Sequence, residues 1–194
     1  MMKKKSIFWM NLVLIFALIA GLAFPAANVD AAGKSKSKKV LIVYFSGTGT
    51  TKEAAEKIKK GTGGTLYRIQ AAQPYTSADL DYSNDNCRAN TEQKSGSVRP
   101  KIKGKVKNIR QYDVLFVGYP IWWNKEPMII RTFLESYNLK GKKIIPFCTS
   151  GGSGISGSMK GIKAAAKGAN VVSGKDLTDA SAKSVKNWAG KKMK

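Results

Sequence analysis

Residues 40–51, Val40-Leu41-Ile42-Val43-Tyr44-Phe45-Ser46-Gly47-Thr48-Gly49-Thr50-Thr51, decide the fold. The first six are apolar without alternation, rich in β-branched and aromatic types, and closed by a glycine-rich turn. Such a run reads as a β-strand buried on both faces, the kind found in parallel sheets covered by helices. The turn runs straight into a helix over 51–60, with Ala54, Ala55 and Ile58 on one side and lysines opposite. Glycines at 61, 63 and 64 end that helix, and Thr65 to Ile69 forms a second short strand.

The same alternation continues outward. Tyr112 to Tyr119 (YDVLFVGY) is another doubly buried strand, and Met128 to Tyr137 has helical spacing with Pro127 at its start. Lys143 to Cys148 is a fourth strand, Gly151 to Gly157 a glycine-serine loop, and Ser158 to Lys167 a helix. Asn170 to Val172 reads as a short edge strand and Ala180 to Lys191 as a final helix. Only the polar stretch from Gln73 to Lys107, with a helix around Ala89 to Lys94, resists a clear reading. Strands alternating with helices imply right-handed crossovers and a parallel sheet covered on both sides. The expectation is an α/β, doubly wound three-layer sandwich of five strands and about five helices. Ligands of such folds sit beyond the carboxyl ends of the strands, where strand order reverses.

Three strand ends carry chemistry. Ser46, Gly47, Thr48, Gly49, Thr50 and Thr51 place four hydroxyls and two glycines before a helix. Glycines let the backbone curl so that amides point inward, and the helix start adds the positive end of its dipole. That is a cradle for a phosphate dianion; a helix cap alone needs one hydroxyl. It is neither a Walker loop nor the GxGxxG dinucleotide fingerprint. At the third strand end, Pro120-Ile121-Trp122-Trp123 puts adjacent indoles on a loop, which favours a flat aromatic ligand stacked on them. At the fourth, Thr149-Ser150-Gly151-Gly152 offers backbone amides to a heterocycle's polar edge. A phosphorylated tricyclic ring fits the set, and FMN is the usual such molecule.

These segments resemble the flavodoxins, and most closely the branch with a WW-containing flavin loop. VLIVYFSGTGTTKEAAEKI is similar to that family's first strand and phosphate loop, VGYPIWWNKEP to its second flavin loop, and IIPFCTSGGSGISGS to its third. The likeness covers residues 38 to about 178, with the three segments in order. It implies a five-stranded parallel sheet in the order 2-1-3-4-5 and FMN as cofactor. By the resemblance, Ser46, Thr48, Gly49, Thr50 and Thr51 hold the phosphate, with Gly47 in the same loop. Pro120, Ile121, Trp122 and Trp123 flank the ring, and Thr149, Ser150, Gly151 and Gly152 line its pyrimidine edge. Thr50 stands where the family commonly has asparagine. Flavodoxins are typically acidic and cytoplasmic, and this chain departs from both.

Lys3, Lys4 and Lys5 precede an apolar stretch from Ile7 to Phe24, and small residues end in Val29-Asp30-Ala31-Ala32. Residues 1–32 read as a signal peptide cleaved after Ala31, or as an uncleaved anchor. Residues 33–39 are a basic linker and 40–194 the domain, which then acts outside the cytoplasm, in the cell envelope or beyond. Of the formal net charge of +22, the first 32 residues hold +2, leaving +20. That charge suits an anionic cell-wall polymer or membrane surface rather than nucleic acid, for which no reading module is recognisable. The chain has no histidine, so the commonest general base and metal ligand are missing. No catalytic side chain and no metal site are expected. An electron carrier serving a redox partner protein or a small-molecule acceptor needs none. The rival readings are an FMN-dependent quinone-type reductase and a flavin-free envelope-binding module. Cys87 and Cys148 either pair as a disulfide or stand apart, Cys148 buried at a strand end and Cys87 exposed.

Overall fold

The computed structural model describes residues 37–194. Residues 1–32, the expected signal peptide or anchor, and the beginning of the linker lie outside the described residues. The strands are β1 (Val40–Tyr44), β2 (Thr65–Arg68), β3 (Gln70–Ala71), β4 (Ile102–Lys103), β5 (Val114–Pro120), β6 (Lys143–Thr149), β7 (Asn170–Val171) and β8 (Lys175–Asp176). The helices are α1 (Thr50–Thr62), α2 (Arg88–Ser95), α3 (Met128–Glu135), α4 (Met159–Ala165) and α5 (Ala182–Met193).

The main sheet is parallel and runs β2-β1-β5-β6-β7, with β8 also paired to β6. Counting its principal strands along the chain, this is the order 2-1-3-4-5 of a doubly wound sandwich. The fifth position is filled by two fragments rather than the single edge strand expected. Their break falls opposite Pro146 in β6: β7 pairs with residues 143 and 144, and β8 with 147 and 148. Proline has no N–H to give the ladder, so continuous pairing lapses there.

Each central strand feeds two cores because successive side chains point to opposite faces. Val40, Ile42, Tyr44, Val114 and Phe116 pack beneath Ala54, Ala55 and Ile58 of α1 and Val185 and Ala189 of α5. Leu41, Val43, Leu115 and Val117 pack beneath Ile129, Ile130, Phe133 and Leu134 of α3 and Ile162 of α4. The apolar runs are therefore uninterrupted because both faces are covered. Gly118 in β5 is required by packing, since a Cβ there would lie 2.0 Å from the Phe147 ring on β6.

The polar stretch after β2 is ordered. It carries α2, whose inward residues are Ala89, Asn90, Glu92 and Gln93, between the two strands of a small antiparallel β3–β4 pair. Cys87 and Cys148 are both free and both buried, so the disulfide is not formed and the exposed position expected for Cys87 is corrected. Cys87 is held inside because its sulfur caps α2, accepting from the Asn90 amide at 3.4 Å.

Candidate functional site

The phosphate-type loop leaves β1 at Phe45, whose amide still bonds to the Gly118 carbonyl at 3.0 Å. Ser46 is buried, and its Oγ accepts from the Gly49 amide at 3.1 Å, which curls the loop. Gly49 takes φ 108°, a conformation open to glycine, and nothing lies within 4 Å of a Cβ built there. Among the described residues, nothing accepts a hydrogen bond from the amides of Ser46, Gly47 or Thr48. The first-turn amides of α1 have no acceptor within the helix, and no side chain caps them. Ser46 is buried while Gly47 and Thr48 are exposed, so this row of amides opens to the outside, where an external acceptor can meet it. Thr48 and Thr50 are exposed beside it.

Thr51 points elsewhere than toward solvent. It is buried, and its hydroxyl shares a 2.7 Å hydrogen bond with the hydroxyl of Thr149 at the end of β6. This bond ties the first loop to the third. The second loop is tied to the third by the Ile121 amide, which donates to the Thr149 carbonyl at 2.8 Å. Gly157 completes the contact, since a Cβ there would lie 2.1 Å from the Asn124 carbonyl oxygen. The three segments therefore converge at one end of the sheet.

The two indoles do different things. Trp122 and Lys125 exchange backbone hydrogen bonds at 2.9 and 3.0 Å, closing a two-residue turn with Trp123 at φ 50° and Asn124 at φ 57°. Two consecutive positive φ values make a type I′ turn, normally occupied by Asn and Gly. The turn sends consecutive side chains apart. Trp122 is 2% exposed and packs edge-on against Phe45 at 5.6 Å and Tyr75 at 5.4 Å, whereas Trp123 is 58% exposed. The expectation that both rings await a ligand is thus corrected. Trp122 belongs to the floor, and Trp123 alone is presented.

α2 holds this turn from behind, a role with no sequence signal because its inward residues are polar. Gln93 Nε2 donates to the carbonyls of Trp122 and Glu126 at 2.9 and 3.2 Å. Asn90 Oδ1 accepts from Trp123 Nε1 at 2.6 Å. Tyr75 donates to Glu92 at 2.5 Å, and burial, then that bond, pushes its phenol well above the ordinary range. Leu80, on the segment before α2, sits where a Cβ on Gly47 would meet it at 3.0 Å, so this segment lies across the first loop.

In the third loop the Ser150 hydroxyl donates to Asp176 at 2.7 Å and accepts from the amides of Gly152 and Gly154. Burial would raise the Asp176 carboxyl, but hydrogen bonds from Thr178 and Ser150 outweigh it and lower it. Cys148 beside it is raised by burial and by Asp176, so its thiol stays protonated and is no nucleophile. Gly151 and Gly152 are exposed. The Gly152 amide is engaged by Ser150, whereas among the described residues nothing accepts from the amide of Gly151.

The flavodoxin family model matches residues 39–192. A crystal structure of a protein from Bacteroides eggerthii DSM 20697 assigned as a flavoprotein is 48% identical, with a TM-score of 0.76, covering 79% of this chain and 96% of that one. A second, from Bacteroides uniformis ATCC 8492, is 42% identical with a TM-score of 0.76, covering 80% and 99%. A flavoprotein from Lactobacillus acidophilus NCFM, solved in complex with FMN, is 26% identical with a TM-score of 0.60, covering 72% and 93%. No curated protein sequence matches the chain.

Proposed function

This chain belongs to the flavodoxin family, and from that premise we propose that it is an exported electron-transfer protein working through noncovalently bound FMN. FMN is the cofactor that the family and the Lactobacillus relative support. The observation that carries the reading is the row of unpartnered amides at Ser46, Gly47 and Thr48, beside the open Gly49 and the uncapped start of α1. A phosphate needs such a row, and among the described residues no other group fills it. Thr48 and Thr50 add hydroxyl donors to the phosphate. Thr51 and Thr149 act through each other, fixing the loop against β6. Trp123 covers one face of the ring, Ile121 and Pro120 bound it, and the exposed backbone at Gly151 and Gly152, held in place by Ser150, meets its polar edge.

The redox chemistry is the cofactor's, and the protein contributes binding, orientation and exclusion of water. No side chain is required as acid, base or nucleophile. The basic start, apolar stretch and small-residue end of residues 1–32 support export, and the charge of +20 on the remainder suits an anionic envelope.

The test is the visible spectrum of the purified protein. Bands of oxidised flavin, lost on dialysis against denaturant and restored by FMN, are expected. A colourless protein that ignores added FMN defeats the reading and favours a flavin-free module. One observation favours a reductase as the second reading: the segment bearing Leu80 and Tyr82 crosses Gly47 and Trp122, narrowing access for a bulky protein partner. Rapid steady-state oxidation of NADH or NADPH with a quinone identifies the reductase; a carrier shows almost none.

A further inference from the structure

The two helical layers treat their cations differently. The arginine–carboxylate pairs of the described residues, Arg88–Glu92, Arg99–Glu135 and Arg131–Glu126, all involve α2 or the residues at and around α3. On the opposite layer, α1 and α5 carry four lysines each against Glu53 and Glu56. Among the described residues the only ion pair there is Lys52–Glu56, exposed and 3.7 Å long. Exposed pairs of that length contribute little, so this layer keeps nearly all its positive potential.

Beside α5, an open groove of about 490 Å³ is lined by Lys175 of β8, Lys183 and Lys191 of α5, and Ser181, Asn187 and Trp188. No acidic residue lines it. Its three lysines are exposed and make no ion pair among the described residues. Trp188 is fixed from below by an edge contact with Phe116 at 5.7 Å, so its position does not depend on a ligand. Lys192, bonded to Ser173 at 2.6 Å, continues the row.

We propose that this groove binds a linear phosphate-bearing polymer, laid along α5. Lysine ammoniums are mobile point charges that suit successive phosphates. Serine hydroxyls and an asparagine amide between them give neutral donors to the same chain. A concave strip suits a strand better than a flat bilayer, which needs a convex or planar basic face. A single tryptophan offers none of the successive stacking surfaces that single-stranded nucleic acid uses. The groove adjoins the third-loop end of the crevice, since Lys175 and Ser184 also line the neighbouring cavity with Gly151, Gly152, Asp176 and Asp179, but the proposal does not depend on the flavin reading.

The test is titration of the full chain, in mild detergent, with long-chain inorganic polyphosphate. Two charge-matched variants are compared: K175Q/K183Q/K191Q in the groove, and K160Q/K163Q/K167Q on the α4 side. Circular dichroism melts keep folding separate from binding. The groove triple is expected to lose about tenfold or more in affinity at 0.15 M salt, with a salt slope smaller by about three, near one per lysine. The α4-side triple is expected to lose much less. Equal losses in both triples overturn the proposal in favour of diffuse attraction. Tighter binding to phosphatidylglycerol vesicles or to duplex DNA than to polyphosphate overturns it as well.

Discussion

Trp123 combines a strained backbone with an exposed ring. A bulky residue at φ 50° costs on the order of 1–3 kcal/mol and persists only where its surroundings enforce it. Here the Gln93 bonds and the Trp123–Asn90 bond enforce it. Trp123→Asn removes the indole but keeps a residue that tolerates this conformation. Strain relief and the lost indole bond nearly offset, so apo stability should stay within about 1 kcal/mol. FMN binding should weaken about fivefold or more, since stacking adds roughly 1 kcal/mol beyond burial. Fluorescence titration of the apoprotein measures this, and unchanged affinity would remove Trp123 from the site. Glu126, immediately after the turn, is 0% exposed, and burial raises its carboxyl despite Arg131 at 2.7 Å. A raised folded value means the stability contribution is greatest below the ordinary value of 4.5 and is lost as pH rises through the folded value. Denaturation at pH 7 and pH 4.5 should therefore show wild type gaining on Glu126→Gln as pH falls. A pH-independent gap between the two would contradict that sign. At this scale the hydroxyls and glycines of the first loop were legible from their density alone. Which indole faces outward was not, because consecutive residues diverge only once the turn type is known. The Thr51–Thr149 bond was equally hidden, joining residues 98 apart in sequence.

Apart from α2, the elements of five residues or more announced themselves, because their apolar runs had to match two covered faces or one helical stripe. Among the two-residue strands, β7 falls within the edge strand expected over 170–172, but β3, β4 and β8 carry too few side chains for any period to show. α2 was found only roughly and its purpose not at all. A helix burying Asn90, Glu92 and Gln93 has no apolar stripe, and its inward side is recognised by what it bonds to. Its function as a buttress is testable. Gln93→Ala takes the Gln93 donor from the Glu126 carbonyl and leaves the Trp122 carbonyl only the Lys125 amide, at a cost of about 1–3 kcal/mol. It should also weaken FMN binding although Gln93 lies behind the turn. Lowered stability with intact affinity would show that the turn stands without α2. Gly118→Ala tests the sheet itself. The added methyl would overlap Phe147, and strand pairing on both sides of β5 prevents an easy shift. Destabilisation of about 3 kcal/mol is expected by chemical denaturation, at the upper end for overpacking. A near-neutral result would mean that β5 and β6 are looser than their register implies.

For the whole molecule the dominant quantity is charge. It is legible from composition, but its distribution is not: the gathering of the arginine–carboxylate pairs around α2 and α3, and of lysines without a lining acid in the groove beside α5, emerges only from the fold. Full reduction of a bound flavin adds negative charge near the ring. Acidic surroundings oppose that addition, and a domain of +20 favours it. Asp176 works against the trend locally, yet its charge is spent on Ser150 and Thr178. The lysines act from further away and through solvent. Their combined field is therefore screened by salt, with a Debye length near 10 Å at 0.1 M. A field worth about 1 kcal/mol on one added charge moves a one-electron potential by roughly 40 mV. The fully reduced state should thus form at a higher potential than in acidic flavodoxins, by some tens of millivolts, and the excess should shrink as salt rises from about 0.01 to 1 M. Potentiometric titration at the two ionic strengths measures both effects. A potential as low as that of acidic relatives, or one indifferent to salt, would mean that local groups at the ring outweigh the net charge.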